Sequence, residues 1–86
     1  MKIIKINAMW CPGCLITKSI WQEIEKEYPS HEYINLDYDL DEEKIKKYKI
    51  GDILPVVIIE NNNQEIKRII GEKNKKEILK ELEDLL

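Results

Sequence analysis

Cysteine is scarce in this chain, histidine scarcer, and a long apolar run is missing altogether. The 86 residues include two cysteines and one histidine. One Cys11–Cys14 loop is too short to constrain much of the unfolded chain, so the pair is no structural staple. With His31 as the only histidine, the chain also falls short of the four ligands of a tetrahedral zinc site. A zinc-bridged dimer sharing four cysteines is the arrangement that would reach that number. No apolar stretch is long enough to span a bilayer. Lys2-Ile3-Ile4-Lys5-Ile6 is too short and too charged for the h-region of a signal peptide, so the expected location is cytoplasmic. In that compartment a pair of thiols serves redox catalysis or metal binding more often than disulfide stapling. The net charge of -3 argues against nucleic acid or an anionic membrane as the natural partner.

What is present suits one compact domain over residues 1–86, with 43 % hydrophobic and 36 % charged residues and room for a single small core. A monomer is the expectation at this size. No repeat, linker or low-complexity segment interrupts the chain.

Lys2 to Asn7 reads as a strand around Ile3, Ile4 and Ile6. From Cys14 to Tyr28, Ile16, Ile20, Ile24 and Tyr28 recur every four residues with Trp21 beside them, an amphipathic helix ended by Pro29. His31 to Asp37 reads as a second strand. Asp41-Glu42-Glu43 then puts negative charge at the start of a short helix with Ile45 and Tyr48 on its inner face. Pro55-Val56-Val57-Ile58-Ile59 has the β-branched composition of a buried strand. The polar turn Glu60 to Gln64 leads into Glu65 to Ile70, so these two strands form a hairpin. Gly71 closes it. Asn74 and Glu77 have capping-box spacing, and Ile78, Leu79, Leu82, Leu85 and Leu86 stripe the last helix. The order is β-α-β-α-β-β-α. Such alternation predicts parallel pairing with helices on both faces, and the hairpin adds an antiparallel edge.

The two cysteines sit as Trp10-Cys11-Pro12-Gly13-Cys14 at the first strand–helix junction. A thiolate in the first turn of a helix is stabilised by unpaired backbone N–H groups and by the positive end of the helix dipole. A second thiol three residues on lies one turn away, within reach of a mixed disulfide formed by the first. Strand, Cys-x-x-Cys and helix together read as a redox device. His31 reads as a boundary residue, Trp21 as core, and Lys73, Lys75 and Lys76 as a solvated helix start. Asp37, Asp39 and Asp41 lack the glycine and terminal glutamate of a calcium loop and read as strand-end and capping groups.

Over its whole length the chain resembles the thioredoxin/glutaredoxin superfamily in its minimal form. The residues that carry the likeness are Trp10-Cys11-Pro12-Gly13-Cys14, Leu54-Pro55 ahead of a β-branched strand, Tyr48-Lys49-Ile50 upstream, and Gly71 before the last helix. The resemblance implies an α/β thioredoxin-like fold, a four-stranded mixed sheet flanked by three helices. It makes Cys11 the nucleophile, Cys14 the resolving thiol and Pro55 a cis-proline facing the site. Trp10, Pro12, Gly13, Leu54 and Pro55 become the substrate-binding residues. It further implies protein disulfides as substrates, a redox-active Cys11–Cys14 disulfide, and no bound cofactor. Recharging would fall to a flavin- and NADPH-dependent reductase, as for thioredoxins, or to glutathione, as for glutaredoxins.

Three departures stand out. Pro12-Gly13 replaces the Gly-Pro of thioredoxins and the Pro-Tyr of glutaredoxins; Pro12 suits a first helical turn, where its missing N–H is not needed. The glycine pair and aspartate of glutaredoxins are absent around Gly71, which leans the likeness toward thioredoxin. Lys5 stands six residues before Cys11, where thioredoxins carry a buried aspartate. An ammonium beneath the motif would stabilise a thiolate, making Lys5 a candidate for tuning the thiols; alternatively it snorkels to the edge or pairs with Asp37. Two classes of function follow: a thiol–disulfide oxidoreductase, with glutaredoxin-like or oxidising variants, and a non-catalytic module binding peptides or a metal.

Overall fold

The computed structural model describes residues 1–85. Its elements run β1 (Lys2–Asn7), α1 (Pro12–Glu27), β2 (Glu32–Asp37), α2 (Glu42–Lys46), β3 (Val56–Asn61), β4 (Gln64–Ile70) and α3 (Lys75–Leu82). Leu86 of the expected last stripe lies outside the described residues. The sheet order is β2-β1-β3-β4.

Only β1 and β2 pair in parallel, joined by α1; β3 runs antiparallel to β1 and β4 antiparallel to β3. This corrects the general expectation of parallel pairing. The link through the short α2 brings the chain back beside β1 in the opposite sense, so one parallel pair carries the whole α/β character.

Strand alternation distributes the core over two faces. Ile3, Val57, Ile59 and Ile69 meet Trp21 and Ile24 of α1 and Ile78 and Leu82 of α3. Ile4, Ile6, Val56 and Ile58 point the other way and cluster with Leu36 of β2 and Ile45 of α2. Fully burying one such side chain contributes roughly 1.5–3 kcal/mol, which is why the middle strands are almost continuously β-branched. Ile58→Ala, at a fully buried position, would cost about 2–5 kcal/mol.

α1 buries Cys14, Thr17, Trp21 and Ile24; of the expected stripe Ile24 is core and Ile20 and Tyr28 pack partly buried against it, and Ile16 alone is off the face. Ile16 is exposed. A strict four-residue step overshoots the 3.6-residue turn and rotates off the contact line, whereas alternating steps of three and four stay on it. Trp21 is core, as expected.

The β3–β4 turn is tighter than expected. Asn62 and Asn63 both take positive φ, 55° and 64°, the pattern of a two-residue turn whose twist matches the strands. The capping box of α3 is complete: Glu77 N–H donates to Asn74 Oδ1 at 2.8 Å and Asn74 N–H to Glu77 Oε1 at 3.1 Å. Asp37 Oδ1 accepts from the N–H groups of Asp39 and Leu40, and Asp41 Oδ2 from that of Asp37. These bonds close the β2–α2 corner beside the dithiol.

Candidate active site

The end of β1 carries the chain through Ala8, Met9 and Trp10 straight into α1. Cys11 is the N-cap, with extended backbone, and Pro12 opens the helix. The Cys14 N–H donates to Cys11 Sγ at 3.2 Å. Sulfur thus does here what a serine or aspartate oxygen does at other helix starts, taking up a donor the helix leaves unpaired. Thr17, buried one turn on, donates its hydroxyl to the carbonyls of Gly13 and Cys14 and holds the turn.

Both cysteines are free thiols and both are buried. They pack with Ala8 against Tyr38 and Leu54. The two are chemically unequal. Burial, reinforced by the hydrogen bond to Cys11, pushes the Cys14 thiol up to about 11 from an ordinary 9.0. Cys14 therefore keeps its proton at neutral pH.

The Leu54–Pro55 bond is cis, as the resemblance implies. Pro55 comes against the Pro12-Gly13 turn: a carbon added at Gly13 would stand 3.6 Å from Pro55 Cδ. Gly71 holds this loop from behind, its N–H donating to the Pro55 carbonyl at 2.8 Å. Its φ of 88° explains why glycine ends the hairpin.

Trp10 is 60 % exposed, so it contributes little to the core and stands at the mouth of the site. Two contacts fix it. Its Nε1 donates to Asp39 Oδ2 at 2.8 Å, and its ring meets Tyr38 edge-on with centroids 6.0 Å apart. Asp39, expected to act as a strand-end cap, instead holds the indole. Nothing local to its own segment signals that role, because its partner is 29 residues away.

Lys5 points to the α1 face, like Ile3 two residues before it. Its ammonium is ion-paired with Glu25 of α1 and lies 5.9 and 5.7 Å from the ring centroids of Trp21 and Tyr33. The alternative partner considered from sequence, Asp37, is not used, since its carboxylate is occupied by the turn that follows β2. Lys5, Glu25 and Cys14 all line one cavity of about 520 Å³, together with Asn7, Lys18 and Asn35. Lys5 thus shares a cavity wall with Cys14, and its charge is matched by Glu25, a partner that sequence reasoning missed.

His31 lies at the far end of β1, its Nδ1 3.3 Å from the Met1 nitrogen. Six strand residues, roughly 20 Å, separate it from the thiols. Among the described residues no group of three or more histidine, cysteine or acidic side chains could hold a metal ion. None of their helices is long and apolar enough to cross a membrane.

Comparison with known proteins gives a consistent result. The thioredoxin family model matches residues 1–84. A thioredoxin of Mycobacterium tuberculosis is 31 % identical over 85 residues, covering 98 % of this chain and 72 % of the relative. A bifunctional thioredoxin reductase/thioredoxin of Mycobacterium leprae is 30 % identical over 85 residues, covering 98 % of this chain and 18 % of that protein. Among solved structures, Plasmodium falciparum thioredoxin superposes with a TM-score of 0.89 at 22 % identity, covering 99 % and 81 % of the two chains, which speaks to the fold.

Proposed function

The chain belongs to the thioredoxin family and is a thiol–disulfide oxidoreductase, and from that premise we propose that it reduces protein disulfides through a Cys11/Cys14 dithiol–disulfide cycle. The carrying observation is the inequality of the two thiols. Cys11 Sγ caps the helix and accepts a backbone N–H, whereas Cys14 is held protonated behind it.

The cycle has two exchanges. Cys11 thiolate attacks one sulfur of the substrate disulfide; a Cys11–substrate bond forms and the other substrate sulfur leaves as a thiolate that takes a proton from solvent. Cys11 then carries no negative charge, and its thiolate no longer holds the Cys14 proton. Cys14 loses that proton and attacks Cys11 Sγ. The mixed disulfide breaks, the second substrate thiol departs, and two electrons have passed from the dithiol to the substrate. Trp10, Pro12, Gly13, Leu54 and Pro55 surround this exchange as the substrate-binding surface, with backbone beside Pro55 free to align an extended segment.

All the chemistry lies between sulfurs, so the reading requires no bound cofactor or metal. A flavin- and NADPH-dependent thioredoxin reductase, rather than glutathione, is the recharging partner in this reading. The fused reductase/thioredoxin among the relatives supports it. So does the missing glutaredoxin glycine pair. A cytoplasmic monomer, a single domain carrying electrons from reductase to substrates and touching neither nucleic acid nor membrane, completes the proposal.

The test is reduction of a protein disulfide such as insulin, with dithiothreitol supplying electrons. Cys11→Ser is expected to abolish the activity, and Cys14→Ser, reduced and then freed of dithiothreitol before substrate is added, to halt at a covalent mixed disulfide visible by mass. Full activity in Cys11→Ser would overturn the assignment.

A further inference from the structure

Gly13 lies inside α1, in ordinary helical backbone, so its conformation does not call for glycine. Its surroundings do. A carbon added there would stand 3.0 Å from Glu72 Oε1 and 3.3 Å from Glu72 Cβ, tight contacts that the Glu72 side chain would have to yield to. The Glu72 side chain therefore uses the bare α-carbon between the two cysteines as its seat, beside Pro55. The left-handed turn at Gly71 delivers it there.

Glu72 is exposed, and among the described residues it has no salt-bridge partner. The other carboxylates near the dithiol are engaged: Asp39 by the Trp10 indole, Glu25 by Lys5, and Asp37 and Asp41 by backbone N–H groups. Glu72 thus brings an unpaired negative charge to the edge over which a substrate disulfide approaches Cys11.

We propose that Glu72 is a specificity-determining residue for the disulfide exchange, favouring disulfides flanked by cationic groups and disfavouring those flanked by anionic ones. This rests on the oxidoreductase reading and names the substrate class it prefers. Groups flanking a docked disulfide lie within about one Debye length of Glu72, roughly 8 Å at physiological salt, so the interaction survives screening. At that separation in water, one unit charge on the substrate changes the rate about two- to threefold at low salt and about 1.4-fold at physiological salt, in opposite directions for the two signs.

Three small disulfides of matched size test this: cystamine (cationic), 3,3′-dithiodipropionate (anionic) and hydroxyethyl disulfide (neutral), the last as the reference rate for each variant. The three differ intrinsically through the acidity of their leaving thiols, so every rate is taken relative to that of the same disulfide with free 2-mercaptoethanol. On these relative rates a change in Cys11 reactivity moves all three together, and a charge filter separates them. The wild type is expected to prefer the cationic over the anionic disulfide by roughly fivefold or more at low salt, fading toward parity in about 1 M salt. Glu72→Gln is expected to bring that preference close to parity, and Glu72→Lys to reverse it. A cationic-to-anionic ratio unchanged in both Glu72 variants would overturn the proposal while leaving the exchange cycle standing. Failure of the wild type to reduce any of the three would overturn both.

Discussion

The ammonium of Lys5 is ion-paired with the carboxylate of Glu25 across the β1–α1 interface, in the wall of the cavity that Cys14 lines. A lysine on the buried face of a central strand is costly unless its charge is matched. Glu25, one residue past the core position Ile24, supplies the match, and the Trp21 and Tyr33 rings lie within cation–π range of the amine. The pair is unequal in burial: the Lys5 side chain is 8 % exposed, that of Glu25 30 %.

That inequality makes the two single substitutions differ. Glu25→Gln strands a buried ammonium and is expected to cost about 2–4 kcal/mol, whereas Lys5→Met frees a carboxylate that can rehydrate and costs roughly 1 kcal/mol or less. The double variant should recover most of the Glu25→Gln loss. Urea unfolding of the reduced proteins measures all three; a Lys5→Met loss larger than that of Glu25→Gln would mean the pair does not hold Lys5.

The thiols should alkylate in a fixed order. With its thiol pushed up to about 11, Cys14 is thiolate in only about one molecule in ten thousand at pH 7, and only the thiolate reacts. One equivalent of iodoacetamide is expected to label Cys11, with Cys14 more than tenfold slower. Peptide mapping by mass spectrometry reads the ratio, and comparable labelling of the two would contradict the raised Cys14 thiol.

The raised Cys14 thiol also gives the reduced protein a specific alkaline weakness. The native state holds a proton that the unfolded chain releases near 9.0, so the unfolded state binds fewer protons above that pH. The stabilisation is complete below about pH 9 and lost as pH climbs through about 11. In Cys14→Ser the group is absent. Stability of wild type relative to Cys14→Ser should therefore be flat from pH 7 to 8.5 and fall between pH 9 and about 11; a flat difference throughout would place Cys14 at its ordinary value.

Trp10 should matter to activity and hardly to stability. Trp10→Phe removes the bond to Asp39 and part of the exposed ring surface. The expected loss in kcat/KM toward a protein disulfide is about 3- to 10-fold, the range of one neutral hydrogen bond with some contact area. The midpoint of thermal unfolding should shift by no more than about 2–4 °C. A large loss of stability with unchanged kcat/KM would move Trp10 from the substrate surface to the core.

Much of this was legible locally. The Cys-x-x-Cys at a strand–helix junction, the Asn74/Glu77 capping box, the β-branched run after Pro55 and the polar hairpin turn each depend on residues a few positions apart. Backbone hydrogen bonding and side-chain periodicity act over those spans, so composition and spacing suffice to read them. The α1 stripe failed at Ile16 because a four-residue repeat imitates helical periodicity while drifting off its face.

What the sequence alone determined is the order of elements, the location of the dithiol at a helix start and the apolar identity of both sheet faces. Only the tertiary structure decided that β3 returns antiparallel to β1, that Lys5 meets Glu25 and not Asp37, that Asp39 holds Trp10, and that Gly13 is the seat of Glu72. The physical reason is the same in each case. These partners are brought together by the packing of helices on a twisted sheet, over separations of 20 residues for Lys5 and Glu25 and 29 for Trp10 and Asp39. Coulombic attraction and hydrogen bonding do not choose a partner until the fold has removed the water between them.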